Sequence, residues 1–212
     1  MMKKIVRGAV VAGATALLLV ACATDSSNVA DKGTALIGLQ RDEPLHVGEE
    51  TITRVDADGR ESLFTFKADT GKLLAVYFGF TNCPDLCPTT LADLRSAFRR
   101  VEGSADRVDV AMVTVDPDRD TPKVLVPYLT SFIADPIALR TTNDSQLKRV
   151  EAAFLASATV KKEATGKVSV SHTAATYVVD EAGDVIVEWP FGIGADGMEN
   201  DLKILLADLP NE

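Results

Sequence analysis

Cys83 and Cys87 stand four residues apart in Gly79-Phe80-Thr81-Asn82-Cys83-Pro84-Asp85-Leu86-Cys87-Pro88. An apolar run, Leu73-Leu74-Ala75-Val76-Tyr77-Phe78, leads into this stretch, and an amphipathic segment, Thr89 to Val101, leads out of it. The pattern predicts a strand that ends where the cysteines begin and a helix that starts where they end. With Leu86 onward helical, both sulfurs lie at the helix N-terminus. Free N–H groups and the macrodipole favour negative charge there and should lower the thiol pKa. Pro84 and Pro88 restrict the loop. Thiolate is the nucleophile of disulfide exchange and also the soft ligand that selects Cu(I), so the pair alone leaves both chemistries open.

A third group comes from far along the chain. His172 immediately precedes an expected strand, Ala174 to Val179, which should lie beside the strand that carries the thiols. Two thiolates and one imidazole suit three-coordinate Cu(I) and tolerate Cu(II) with a further ligand. Three protein ligands with no fourth partner make a poor structural zinc site. A core histidine bonded to a carbonyl would explain the same residue, and the spacing does not choose. His46, the other histidine, sits between Pro44 and Gly48 without a second ligand nearby and reads as a surface residue.

The third cysteine is at the front of the chain. Met1 to Gly8 carries Lys3, Lys4 and Arg7 with no acid, and Ala9 to Ala21 is a small, apolar run of signal-peptide length. It ends Leu19-Val20-Ala21-Cys22, which resembles a bacterial lipobox, so residues 1–21 are expected to be removed and Cys22 lipidated. Residues 22–44 then form a lipidated N-terminus and flexible tether, and 45–212 a single domain. With Cys22 on lipid, Cys83 and Cys87 have only each other as thiol partners, and outside the plasma membrane they form a disulfide unless metal or reductant holds them open.

The elements that must position these groups follow from pattern. Thr51–Asp56 and Ser62–Lys67 flank an Asp58-Gly59 turn and predict a hairpin. Leu73 to Phe80 and Val108 to Val115 are apolar strands of the kind covered on both faces. Pro122 opens a helix with Thr121 as its N-cap, Ile137 to Leu139 suits a short strand, and Asp144 to Ala156 is a further helix. Lys161–Lys167 reads as an exposed loop, Asp184–Glu188 as a strand, Trp189 as a packing residue and Gly197–Leu209 as the last helix. The order is that of an α/β domain with a mixed sheet covered on both faces. A formal net charge of −9, with no basic patch, argues against nucleic acid as a partner.

Three blocks carry a resemblance that covers about residues 45–208. Phe78-Gly79-Phe80-Thr81-Asn82-Cys83-Pro84-Asp85-Leu86-Cys87-Pro88-Thr89-Thr90-Leu91 closely resembles the signature of the SCO/SenC family. Val115-Asp116-Pro117-Asp118-Arg119-Asp120-Thr121-Pro122 is similar to its second block, and Ser171-His172-Thr173-Ala174 with Tyr177-Val178-Val179-Asp180 to its third. The resemblance implies a thioredoxin-like, membrane-tethered protein that binds copper through Cys83, Cys87 and His172 and helps mature cytochrome c oxidase. Asp116 and Asp120 are then loop carboxylates expected near the site, although a turn and a helix start account for both. Asn82 departs from the pattern, since many relatives carry histidine there, and a lipobox replaces the usual transmembrane tether. The expectation is a monomeric, lipid-anchored copper chaperone of the bacterial cell envelope with a copper-acceptor protein, such as an oxidase subunit, as partner. The rival reading is a thiol–disulfide oxidoreductase. Against it, thioredoxins usually carry two residues between their cysteines, whereas Pro84-Asp85-Leu86 makes three, and His172 stands where their cis-proline is expected. A peroxidase would need an arginine beside Cys83, and none is near in sequence.

Overall fold

The computed structural model describes residues 35–210. The expected signal peptide, the lipidated Cys22 and most of the tether lie outside the described residues. The first elements are β1 (Leu45–His46) and a hairpin of β2 (Thr51–Val55) with β3 (Glu61–Thr65). The Asp56 carboxylate closes the hairpin turn by accepting the amides of Asp58 and Arg60. The chain continues through β4 (Leu73–Gly79), α1 (Leu86–Arg100), a short α2 (Ser104–Arg107) and β5 (Val108–Thr114). Every residue of β4 is buried, as an unbroken apolar run requires. Next come α3 (Pro122–Thr130), β6 (Ile137–Leu139) and α4 (Asp144–Ala153), then β7 (Ala158–Lys162) and β8 (Val168–His172). The chain closes with β9 (Ala175–Val179), β10 (Asp184–Pro190) and α5 (Gly194–Asp208).

Eight strands form one mixed sheet in the order β1-β10-β9-β4-β5-β6-β2-β3. β4 pairs parallel with β5 and antiparallel with β9, so it sits at the centre with the cysteine loop at its end. The order demands curvature. A flat sheet would place β1 and β2 about 29 Å apart, six strand spacings, whereas the chain from His46 to Thr51 reaches at most about 18 Å. The sheet therefore curls until its two ends meet. The stretch after β3 marks the contact, with Lys67 packed on Gly48 and Gly183 beside the β1–β10 pair; a Cβ on Gly183 would lie 2.3 Å from the Gly48 Cα, and Gly183 has φ +88. The amides of Val47 and Gly48 both reach the Gly183 carbonyl, and the Ala68 amide that of Asp180.

Helices cover both faces. Tyr77 and Gly79 point from β4 toward α1, where Cys87 meets them, and α5 packs beside α1. Phe78 points the other way, onto Phe154 at the end of α4 and onto Tyr177 in β9, with edge-to-face ring geometry. Trp189 packs as expected and is 1% exposed, with its indole N–H donated to Asp201. Asp201 also accepts the amides of Ile37 and Gly38, which fastens the segment ahead of β1 onto α5.

Two local expectations hold only in part. Thr121 precedes Pro122 at the start of α3, but its side chain caps nothing. Lys161–Lys167 is exposed as expected, with 163–167 a turn, but Lys161 and Lys162 belong to β7 and the turn joins β7 to β8 in a second, two-stranded sheet. β7 is exposed on both faces after Ala158 and carries no alternation, whereas β8 alternates as Val168-Ser169-Val170-Ser171-His172 with one face partly buried.

Candidate metal centre

Cys83 and Cys87 are brought together by the way β4 hands over to α1. Leu86 is the first residue of α1, and Asp85 at the cap position makes no side-chain cap bond. The Cys83 sulfur takes that role and accepts the Cys87 amide at 3.3 Å. Both thiols are free, with Cys83 9% exposed and Cys87 fully buried. Gly79 makes the room: a Cβ there would come within 2.6 Å of Tyr77 Cε1 and 3.2 Å of Cys87 Sγ. A larger residue would push on the sulfur itself.

His172 is the last residue of β8, opposite Ala158 at the base of the hairpin. The Thr173 amide donates to the Ser157 carbonyl and the Ser157 amide to Thr173 Oγ1, which locks the chain just as it turns toward β9. β9 pairs with β4, as the sequence suggested, and this carries the imidazole to the thiols. Nδ1 is 2.9 Å from the Thr173 carbonyl, an acceptor, so Nδ1 carries the proton and donates it. Nε2 is left as an acceptor, 3.6 Å from Cys87 Sγ, and takes the bond from the Cys87 thiol. Tyr77 and Phe80 meet the imidazole edge-to-face at ring separations of 6.0 and 5.7 Å.

Cys83, Cys87 and His172 form the only cluster of three or more such ligands among the described residues, with their ligand atoms all within 4.8 Å of one another. Bonds of about 2.0–2.3 Å, the range for imidazole and thiolate on a first-row ion, space trigonal ligands about 3.6–3.9 Å apart. The Cys87–His172 pair already meets that spacing, and small side-chain movements bring in Cys83. The donor set fits a soft ion such as Cu(I).

The electrostatics correct one expectation. The helix terminus was expected to lower the thiol pKa, but burial pushes Cys87 up to about 12. The Tyr77 hydroxyl and the Phe80 amide favour its thiolate and only partly offset the desolvation. Burial holds His172 below the ordinary imidazole value, against the opposing bond to Thr173, so its ring is neutral at pH 7. These directions fix a pH dependence. Metal must displace the Cys87 proton but none from His172, so apparent Cu(I) affinity should rise by at least about tenfold per pH unit from pH 7 to 9. Competition titrations across that range check it; a flat profile would contradict a protonated Cys87.

Asp120 lies outside the ligand cluster and is fully buried. Its carboxylate accepts the Thr81 amide at 3.1 Å, the Thr81 hydroxyl at 2.5 Å and the Thr114 hydroxyl at 2.6 Å. It thereby ties the cysteine loop, two residues before Cys83, to the end of β5. Asp116 pairs with Arg119 and its carbonyl accepts the Asp120 amide, which shapes the turn that presents Asp120. Asn82 is exposed, with its amide on Thr81 Oγ1, and no other side chain is bonded to it. His46 is also exposed and pairs with Asp184.

Sequence reading did not single out Tyr77 and Tyr128. Both hydroxyls are buried without a hydrogen-bond partner among the described residues. Burial first, and the nearby Cys87 second, hold each phenol protonated. The Tyr77 signal was present in the strand period, since a residue two before Gly79 must share its face with the site.

The model of the SCO1/SenC family matches residues 51–207. An SCO2-like protein of Rickettsia typhi is 31% identical over 148 residues, 69% of this chain and 71% of that protein. Among solved structures, apo Sco1 of Thermus thermophilus superposes with a TM-score of 0.68 at 28% identity, over 81% of this chain and 97% of that one. Bradyrhizobium japonicum ScoI with copper bound gives 0.61 at 28% identity, over 73% and 96%. The curled mixed sheet and its helices match these thioredoxin-like structures.

Proposed function

Because the chain belongs to the SCO1/SenC family, we propose that it is a membrane-tethered copper metallochaperone that holds its metal through Cys83, Cys87 and His172. The observation that carries this reading is the convergence of these three groups from two distant parts of the chain, with Nε2 unprotonated and facing the Cys87 sulfur. The ScoI relative that holds copper supports the identity of the metal. Cu(I) is the favoured state, since two sulfurs and one imidazole form a soft, low-coordinate set. Delivery proceeds by ligand exchange with cysteines of an acceptor, the copper centre of cytochrome c oxidase, as the sequence blocks imply. The lipobox pattern at Cys22 anchors the chain, with the domain in the periplasm or otherwise outside the plasma membrane.

A thiol–disulfide reductase would use the same dithiol. Copper binding gives His172 a role that disulfide exchange leaves unexplained.

His172→Ala tests the choice. The variant should keep its dithiol and its fold, and lose more than about tenfold in Cu(I) affinity, or 1.4 kcal/mol. Unchanged copper affinity together with rapid thiol exchange would favour the reductase.

A further inference from the structure

Tyr77 is placed for a task that the unloaded protein leaves undone. It lies on β4, 0% exposed, with its hydroxyl beside Cys87 and Thr90 on α1. That hydroxyl has no hydrogen-bond partner of acceptable geometry. Thr90 stands beside it but makes no bond to it; the Thr90 hydroxyl donates to the Leu86 carbonyl at 2.9 Å. Buried orphan hydroxyls cost free energy and are rare in native proteins. Here the neighbour is a sulfur. A thiol sulfur is a weak acceptor, whereas an ionised one is strong.

Copper changes the charge at this point. Two thiolates, one Cu(I) and a neutral imidazole sum to one net negative charge, placed where Cys87 is fully buried. Such a charge needs hydrogen-bond donors. The Cys83 sulfur already has one in the Cys87 amide. Next to the other sulfur stand the Phe80 amide and the Tyr77 hydroxyl, and the hydroxyl is the one with no bond of its own among the described residues. The Tyr77 ring is held for the purpose by its edge-to-face contact with His172 and by the absence of a side chain at Gly79.

We propose that Tyr77 is a positioning residue of the copper site: its hydroxyl, unpaired beside the Cys87 thiol, donates to the Cys87 sulfur once copper makes it a thiolate. This rests on the copper-binding reading above and adds a ligand-dependent hydrogen bond to it. The bond stabilises the loaded state alone and keeps the sulfur's charge partly neutralised.

The test is Tyr77→Phe, which keeps the ring and removes the donor. The metal-free variant should unfold at the same temperature as the wild type or higher, since only an unpaired hydroxyl is lost. It should still bind one Cu(I), roughly tenfold more weakly. In the Cu(II) form its sulfur-to-copper charge-transfer band should move to longer wavelength, because an unbonded thiolate is a better electron donor. One-to-one loading with unchanged affinity and an unshifted band would overturn the proposal. A variant that loses metal-free stability while its band stays put would make Tyr77 a packing residue and overturn it too. A wild-type protein that takes up no copper would instead sink the copper reading itself, and Tyr77 with it.

Discussion

Cys87→Ala is expected to abolish stoichiometric Cu(I) binding while the domain stays folded. The two consequences separate because the sulfur has separate duties. As a ligand it is one of two thiolates, and even the outer partners of metal ligands are worth about 10- to 100-fold in affinity. Direct removal should therefore cost more than about a hundredfold. As a packing group, Cys87 is fully buried against Gly79 and Tyr77, so truncation leaves a void of one atom. That costs about 1–2 kcal/mol, at the low end of core truncations. The bond that caps α1 survives, because it uses the Cys87 backbone amide and the Cys83 sulfur. Copper stoichiometry after desalting, read with thermal unfolding, checks both parts. A variant that still retains one copper per chain would remove Cys87 from the site.

Asp120→Ala is expected to produce the largest loss of stability outside the apolar core, about 3 kcal/mol or more. The carboxylate is fully buried and accepts from three donors, two on Thr81 and one on Thr114. Alanine leaves all of them without an acceptor, and hydrogen bonds to charged groups are each worth about 1.5–3 kcal/mol. The Thr81 amide cannot rotate to find another partner. Copper affinity should fall as well, because Thr81 holds the loop just ahead of Cys83. Asp120→Asn keeps one acceptor oxygen and should fall between the two. Chemical denaturation of the metal-free proteins measures the order wild type, Asn, Ala. A loss below about 1 kcal/mol for alanine would mean that the Asp120 network is replaced by water.

Much of this arrangement was legible in the chain because the signals were local. The apolar run at Leu73–Phe78 and the period of Leu91, Leu94 and Phe98 marked β4 and α1, and the cysteines fell between them. The pairing of β9 with β4 followed from the strand order, and it carried His172 to the thiols. The strand that pairs with β8 and so fixes the base of His172 was not legible, since Thr159 to Lys162 are exposed and nothing in their pattern records a partner. The role of Asp120 was read as a helix start because Thr81 is 39 residues away, and no short-range pattern encodes that bond. The thiol pKa was misjudged for a related reason. A helix terminus can be read from sequence, but the burial that outweighs it depends on what Tyr77 and Gly79 pack against. The curl of the sheet follows from strand order and chain length together, once both are known.

X-ray absorption at the copper edge of the reduced domain, loaded with one Cu(I) per chain, tests the central claim most directly. The account predicts two sulfur ligands and one imidazole nitrogen, with the nitrogen signal lost in His172→Ala and the sulfurs retained. Two sulfurs without nitrogen in the wild type, or a spectrum that His172→Ala leaves unchanged, would contradict a site built from Cys83, Cys87 and His172.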